Sequence, residues 1–249
     1  MEKQESGELS GPATAVSFDV WRTILKPNPN FAHERRNIIA RWLGTSIKRI
    51  VSVVDEVERE GNAMQESGRD MDLAQRMARI AEHMGRTTEP IEVLAAMRDV
   101  SSAFEAFPPS LLEGDVTLQT MQALHDCGMD VRIASNTGFV SGASIRALLE
   151  RVGILSNVSI AAFSDEVGFS KPHPNIFRMV ADGNRPDCVL HVGDDPVRDY
   201  AGATRYGMRA LLLCSQGNTD RFADHFYVIR SIQEVLTHPL LWGEPVPGR

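Results

Sequence analysis

Cysteine, surplus positive charge and long apolar runs are all scarce in this chain of 249 residues. Its three cysteines, Cys127, Cys188 and Cys214, lie far apart and show no metal-ligand spacing. Buried thiols in a reducing, cytoplasmic setting are therefore expected. A net charge of −7 argues against general affinity for nucleic acid or an anionic membrane, while leaving room for a local basic pocket. No apolar run approaches the length needed to span a bilayer. The opening stretch MEKQESGELSGPATA has no charged-then-apolar signal pattern, so residues 1–14 are expected to be a flexible tail, as are residues 241–249. No internal repeat or low-complexity tract is visible, and the oligomeric state is not readable.

What is present is ordinary globular material, 43% hydrophobic and 24% charged, in a length that suits one large α/β domain or a core domain with a smaller insert. Five apolar runs predict strands: AVSFDV (15–20), VRIASN (131–136), VSIAAF (158–163), CVLHVG (188–193) and RALLLC (209–214). Several are apolar at consecutive positions, as parallel strands covered on both faces are. Helical patterns fall between them and close on Gly128, Gly153, Gly183 and Gly207, with Ser141 as one start signal. This alternation predicts a doubly wound parallel sheet, formed by residues 15–27 and 108–240. Residues 28–107 carry four helical patterns and no convincing strand, which predicts an inserted all-helical domain.

Ligands of such sheets bind outside the carboxyl ends of the strands, so polar residues there should converge. Those ends carry Asp19, then Ser135-Asn136, then Ser164-Asp165-Glu166 followed by Lys171, then Asp194-Asp195. Taken singly, each has a plain structural explanation. Asp19 reads as a strand-end cap, Lys171 as a solvated charge, and the Asp pair as a complement to a helix dipole. Taken in order, a carboxylate nucleophile, a hydroxyl, an ammonium and an acidic pair suit a small anionic substrate handled with a divalent cation. His191 reads as packed within its strand, while His83, His125 and His238 have no partner visible in sequence.

These stretches resemble the motifs of the haloacid dehalogenase-like hydrolase superfamily. FDVWRTIL is similar to its first motif, with Asp19 as nucleophile and Thr23 four residues on. IASNTG resembles the second, FSDEVGFSKPHPNIF the third and HVGDDPVRDYAGATRYGM the fourth. The helical insert falls where a subset of the superfamily carries its C1 cap. The resemblance implies a Rossmann-like core, Asp19, Ser135 and Lys171 as catalytic residues, and Asn136, Thr23 and Arg22 toward substrate. It further implies Mg²⁺ held by Asp19, the backbone carbonyl of Trp21, Asp194 and Asp195, with Asp199 supporting. The substrate is then a small phosphorylated metabolite, hydrolysed through an aspartyl-phosphate.

Trp21 departs from that pattern. Phosphatases of the superfamily carry a second Asp there, which protonates the leaving oxygen, and indole has no useful acidity. General acid assistance is worth about 10²–10⁴-fold. The dehalogenase branch carries an aromatic residue at this place because halide leaves without a proton, so 2-haloacid dehalogenation competes. Against it, Gly193-Asp194-Asp195 brings acids that repel Asp19 unless a cation lies between them. His33 or Glu34 of the insert are candidates for the missing acid. A catalytically weakened ligand-binding protein is a third reading.

Overall fold

The computed structural model describes residues 11–214 and 227–244. The chain enters through strand β1 (Ala15–Phe18), every residue of which is buried. A two-residue strand β2 (Leu25–Lys26) then leads out to four helices: α1 (Pro29–Trp42), α2 (Ile47–Glu66), α3 (Leu73–His83) and α4 (Pro90–Ala106). The chain returns through β3 (Ser110–Leu111), which pairs antiparallel with β2, and Asn28 Nδ2 donates to Pro108 O at 3.0 Å. The helical segment thus leaves and re-enters through a clasped neck.

The helices start where local chemistry allows. Pro29 opens α1 behind an Asn28 side chain that accepts from Asn30 N–H, and Asp72 and Gln75 form a reciprocal capping box on α3. Their inward faces pack Phe31, Ile39, Val54, Met77, Ile80, Val100 and Phe104 into the same apolar cluster as Phe18, Ile133 and Val192 of the sheet.

Beyond β3 the alternation is regular: α5 (Asp115–Asp126), β4 (Asp130–Ser135), α6 (Gly142–Arg151), β5 (Val158–Phe163), the single-turn α7 (Ser164–Val167), α8 (Pro174–Ala181) and β6 (Val189–Gly193). A π-helical turn, Pro196–Ala201, runs into α9 (Gly202–Tyr206), followed by β7 (Arg209–Leu213), the short edge strand β8 (Val228–Ile229) and α10 (Pro239–Trp242). The six strands lie in the order β5-β4-β1-β6-β7-β8, with parallel pairing throughout. From β1 the chain builds outward to β4 and β5, then returns to β6 on the other side. The order therefore reverses between β1 and β6, where parallel sheets open their ligand crevice. One sheet face buries Ala15, Ala134 and Val189 under Phe177 and Val180; the other carries Val16, Phe18 and Leu190.

Three expectations need correction. Residues 11–14 are anchored rather than loose: Ala13 N–H donates to Leu241 O at 2.7 Å and Thr14 N–H to Cys188 O at 2.8 Å. The expected C-terminal tail starts inside α10, because Leu240 and Leu241 are both buried. Residues 1–10 and 245–249 lie outside the described residues. Cys214 is buried as expected, but Cys127, just past the end of α5, is exposed. No helix of the described residues is long and apolar enough to cross a membrane.

Candidate active site

Strand β1 delivers Asp19 to the carboxyl edge of the sheet, and its N–H is still held by Val192 O of β6 at 2.9 Å. The chain then turns tightly, with Val20 O accepting from both Ile24 N–H (2.9 Å) and Leu25 N–H (2.7 Å). Arg22 sits at φ 59°, a left-handed conformation costly for a side-chain-bearing residue. The turn leaves Asp19 only 5% exposed, with Thr23 Oγ1 at 3.5 Å from its Oδ2. Trp21 is half-buried and packs edge-on against Phe104 of α4, ring centres 6.4 Å apart. The indole, at the position where the resemblance implies an acid, is therefore a contact with the helical segment.

Lys171 lies 2% exposed, its Nζ 2.6 Å from both Asp19 Oδ1 and Asp199 Oδ1. Asn136 positions that lysine rather than facing outward. Its Oδ1 accepts from Lys171 N–H (2.7 Å) and its Nδ2 donates to Lys171 O (2.9 Å). Ser135 is fully buried on the neighbouring strand end, its Oγ 3.3 Å from Asn136 O. Ser164 and Asp165, also at a strand end, serve as braces: Ser164 Oγ accepts from Thr137 N–H (2.7 Å) and Asp165 Oδ2 from Gly142 N–H (2.9 Å).

Carboxylate oxygens of Asp19, Asp194 and Asp199 all lie within 4.8 Å of one another. Asp195 does not join them. Its Oδ1 accepts from Val197 N–H (2.8 Å) and Arg198 N–H (2.9 Å), capping the π-helical turn, while its own N–H donates to Asp199 Oδ2 (3.0 Å). The residue expected to hold metal is a turn cap, and Asp199, expected to support, occupies the inner position. A Cβ at Gly193 would fall 2.2 Å from Asp199 Cγ, so glycine there makes room for that carboxylate. Arg22 Nη1 stands 4.0 Å from Asp194 Oδ2, with a side chain 74% exposed, at the rim.

Burial, together with the charges of Asp19 and Asp199, pushes the Asp194 carboxyl up to about 7. Asp19 is also raised, by burial first, with Lys171 opposing. Burial would lower the ammonium of Lys171, but Asp19 and Asp199 outweigh it and hold the group charged. Burial would raise Asp199 too; Lys171 and His191 outweigh it and keep this carboxylate below the usual range. Three acids around one ammonium leave negative charge in excess. An all-oxygen set of this kind can hold a hard divalent cation.

His191 packs within its strand as expected and also bonds across it. It is fully buried, and its Nε2 lies 3.0 Å from Asp199 Oδ1 while Nδ1 lies 3.1 Å from Ser17 Oγ, its cross-strand neighbour. With Asp199 accepting at Nε2, Nδ1 faces the Ser17 hydroxyl across the sheet. The sequence signal was a histidine on the same strand face as Gly193, in a strand buried on both faces. The two insert candidates for a general acid do not suit the task. His33 is exposed, and Glu34 is tied to Asn37 Nδ2 and Arg41 Nη2, each at 3.0 Å, which lowers its carboxyl.

The sheet opens between β1 and β6 onto an Asp–Lys pair and an acid cluster, and comparison with known proteins gives the family. Residues 13–207 match the model of the haloacid dehalogenase-like hydrolases, and the chain belongs to that family. It is 29% identical over 206 residues to a glyceraldehyde 3-phosphate phosphatase of Methanopyrus kandleri, covering 78% of this chain and 81% of the relative. A phosphoserine phosphatase of Thermus thermophilus is 40% identical over 68 residues, but the match spans only 27% of that enzyme and 26% of this chain. Among solved structures, a haloacid dehalogenase-like phosphatase from Thermococcus onnurineus superposes with a TM-score of 0.63 at 22% identity, covering 94% of this chain and all 100% of the other. A 2-haloacid dehalogenase from Pseudomonas syringae gives the same TM-score of 0.63 at 18% identity, covering 90% of this chain and 97% of that one. At these identities the structural likeness establishes the fold alone.

Proposed function

We propose that this hydrolase is a Mg²⁺-dependent, cytoplasmic phosphohydrolase of a small phosphorylated metabolite, with Asp19 as the nucleophile and residues 28–107 as a cap over the site. One observation carries this reading: Asp19 shares Lys171 with Asp199 at 2.6 Å while Asp194 crowds the same space. Without a cation, Lys171 alone faces the three clustered carboxylates of Asp19, Asp194 and Asp199. Asp19, Asp194 and Asp199 would hold the cation, with the Trp21 carbonyl as a further ligand, and the bound ion would offset the charge of the phosphate as it meets a carboxylate.

The chain's own groups then divide the work. An Asp19 oxygen forms a bond to phosphorus as the bond from phosphorus to the leaving oxygen breaks, giving an aspartyl-phosphate. Lys171 neutralises Asp19 and the phosphoryl oxygens, and the Ser135 hydroxyl binds another of those oxygens. Water then attacks phosphorus, the bond to Asp19 breaks, and inorganic phosphate leaves. Arg22, at the rim, meets the rest of the substrate. Trp21 supplies no proton to the departing oxygen, and His33 and Glu34 are unsuited to do so. The enzyme therefore favours leaving groups that depart as stable anions, such as acyl phosphates, over simple alkyl phosphates.

Phosphate release from acyl, aryl and alkyl phosphates, with and without Mg²⁺, tests the proposal. Turnover that needs the metal and vanishes in Asp19→Asn is expected. The Trp21 indole favours one competing reading, 2-haloacid dehalogenation. Halide release from 2-chloropropionate without metal would establish that instead.

A further inference from the structure

The loop between α2 and α3 carries Asp70, which lies far in sequence from every strand end yet touches two of the loops that build the site. Its Oδ2 accepts from Thr137 Oγ1 at 3.3 Å, and its Oδ1 accepts from Ser170 Oγ at 3.0 Å. Gln65, on the last turn of α2, donates from Nε2 to Asp70 Oδ1 at 3.0 Å and to Thr137 O at 2.6 Å. The backbone follows the same line, with Ser170 N–H donating to Gly68 O at 3.1 Å. Thr137 stands two residues past Ser135, and Ser170 directly precedes Lys171.

We propose that Asp70 is a positioning residue, through which the helical segment fixes the loops that carry Ser135 and Lys171 relative to Asp19. This rests on the phosphohydrolase reading for its effect on rate, though not for its geometry. Within the core, the two loops are joined by the reciprocal amide contacts of Asn136 with Lys171. Thr137 is further held by Ser164, at the start of the segment that leads to Lys171. Asp70 adds a bridge from outside the core, from Thr137 across to Ser170, which ties both loops to the helical segment. The cost of losing it falls on the chemical step, because Lys171 must meet charge that develops on the transferring group and misplacement of about 1 Å costs on the order of 10²-fold in rate. The carboxylate acts as an acceptor for three donors. Asparagine keeps the carbonyl oxygen for Ser170 and Gln65, and its amide can donate to the Thr137 hydroxyl, which still bonds Ser164.

The test compares Asp70→Ala and Asp70→Asn with the unmodified protein by steady-state kinetics and by amide hydrogen exchange. Asp70→Ala is expected to lower kcat by about 10–100-fold while KM changes less than about threefold, and Asp70→Asn to recover most of the loss. Exchange at Thr137, Ser170 and Lys171 N–H should quicken in Asp70→Ala and return toward normal in Asp70→Asn, whatever reaction the protein performs. Unchanged exchange at these amides, or faster exchange with kcat intact, overturns the proposal. A kcat loss that Asp70→Asn shares in full does so as well. If the unmodified protein hydrolyses no phosphate ester, the functional reading fails, and the exchange comparison still decides whether Asp70 holds the loops.

Discussion

Replacing Lys171 with methionine removes the ammonium that lies 2.6 Å from two buried carboxylates and leaves Asp19, Asp194 and Asp199 facing one another. Breaking a buried ion pair from one side costs about 3–5 kcal/mol, because the charge left behind has lost its partner without regaining water. For a chain of this size, about 2–4 °C per kcal/mol turns that into a fall in Tm of about 6–20 °C in metal-free buffer. The fall should depend on pH in a set direction. Asp194 already stands at about 7 with the lysine present, and without it the folded carboxylates hold their protons more tightly still. Groups whose folded pKa is raised stabilise the fold at low pH and cease to do so as pH rises through that value. The deficit is therefore smallest near pH 5 and largest at pH 8. Thermal unfolding of Lys171→Met and the unmodified protein across that range, with and without Mg²⁺, reads all of this. The cation should raise the Tm of the variant more than that of the parent. A Tm within about 3 °C of the parent at pH 8 without metal would refute the reasoning.

Restoring an acid with Trp21→Asp should speed hydrolysis of alkyl phosphates by up to about 10²-fold while leaving acyl phosphates nearly unchanged, and equal effects on both substrates would count against the assigned role of this position. The same variant loses the edge-on contact with Phe104, which thermal unfolding should register as a loss of about 1 kcal/mol. Asp194→Asn should raise the Mg²⁺ concentration needed for half-activation at least tenfold; Asp195→Asn should leave it near normal, because that side chain caps a turn. If Asp195→Asn proves the more damaging in a Mg²⁺ titration, the inner ligand set is wrong. His191→Leu should cost about 1–3 kcal/mol in chemical unfolding by leaving the Ser17 hydroxyl buried without its partner and Asp199 with one donor fewer, and His191→Gln, which keeps a donor, should cost less.

The sheet was legible because its strands are short apolar runs ending in polar residues. The helical insert was legible because four amphipathic patterns run without a strand between them. The four patterns expected within residues 28–107 are the helices α1 to α4. β2, β3 and β8 escaped notice because two-residue strands carry no periodicity. Asp19, Lys171 and Asp194 were found from their places at strand ends, where topology alone brings them together. Topology could not separate Asp195 from Asp199. Which of them faces inward depends on the turn after β6, where Pro196 opens a π-helical turn whose N–H groups claim the nearer carboxylate. His191 is packed in its strand as expected, but its hydrogen bonds were not legible, because a buried histidine in a strand looks the same in sequence whether or not a hydroxyl waits across the sheet. Asp70 was invisible for a simpler reason: its partners Thr137 and Ser170 are 67 and 100 residues away.

The central claim is that the Asp19 carboxylate becomes phosphorylated during turnover. Acid quenching during steady-state hydrolysis of an acyl or aryl phosphate in Mg²⁺, followed by peptide mass spectrometry, measures this directly. A phosphoryl group on the peptide carrying Asp19, absent in Asp19→Asn along with phosphate release, is the predicted result. Phosphate release that survives Asp19→Asn would contradict the account.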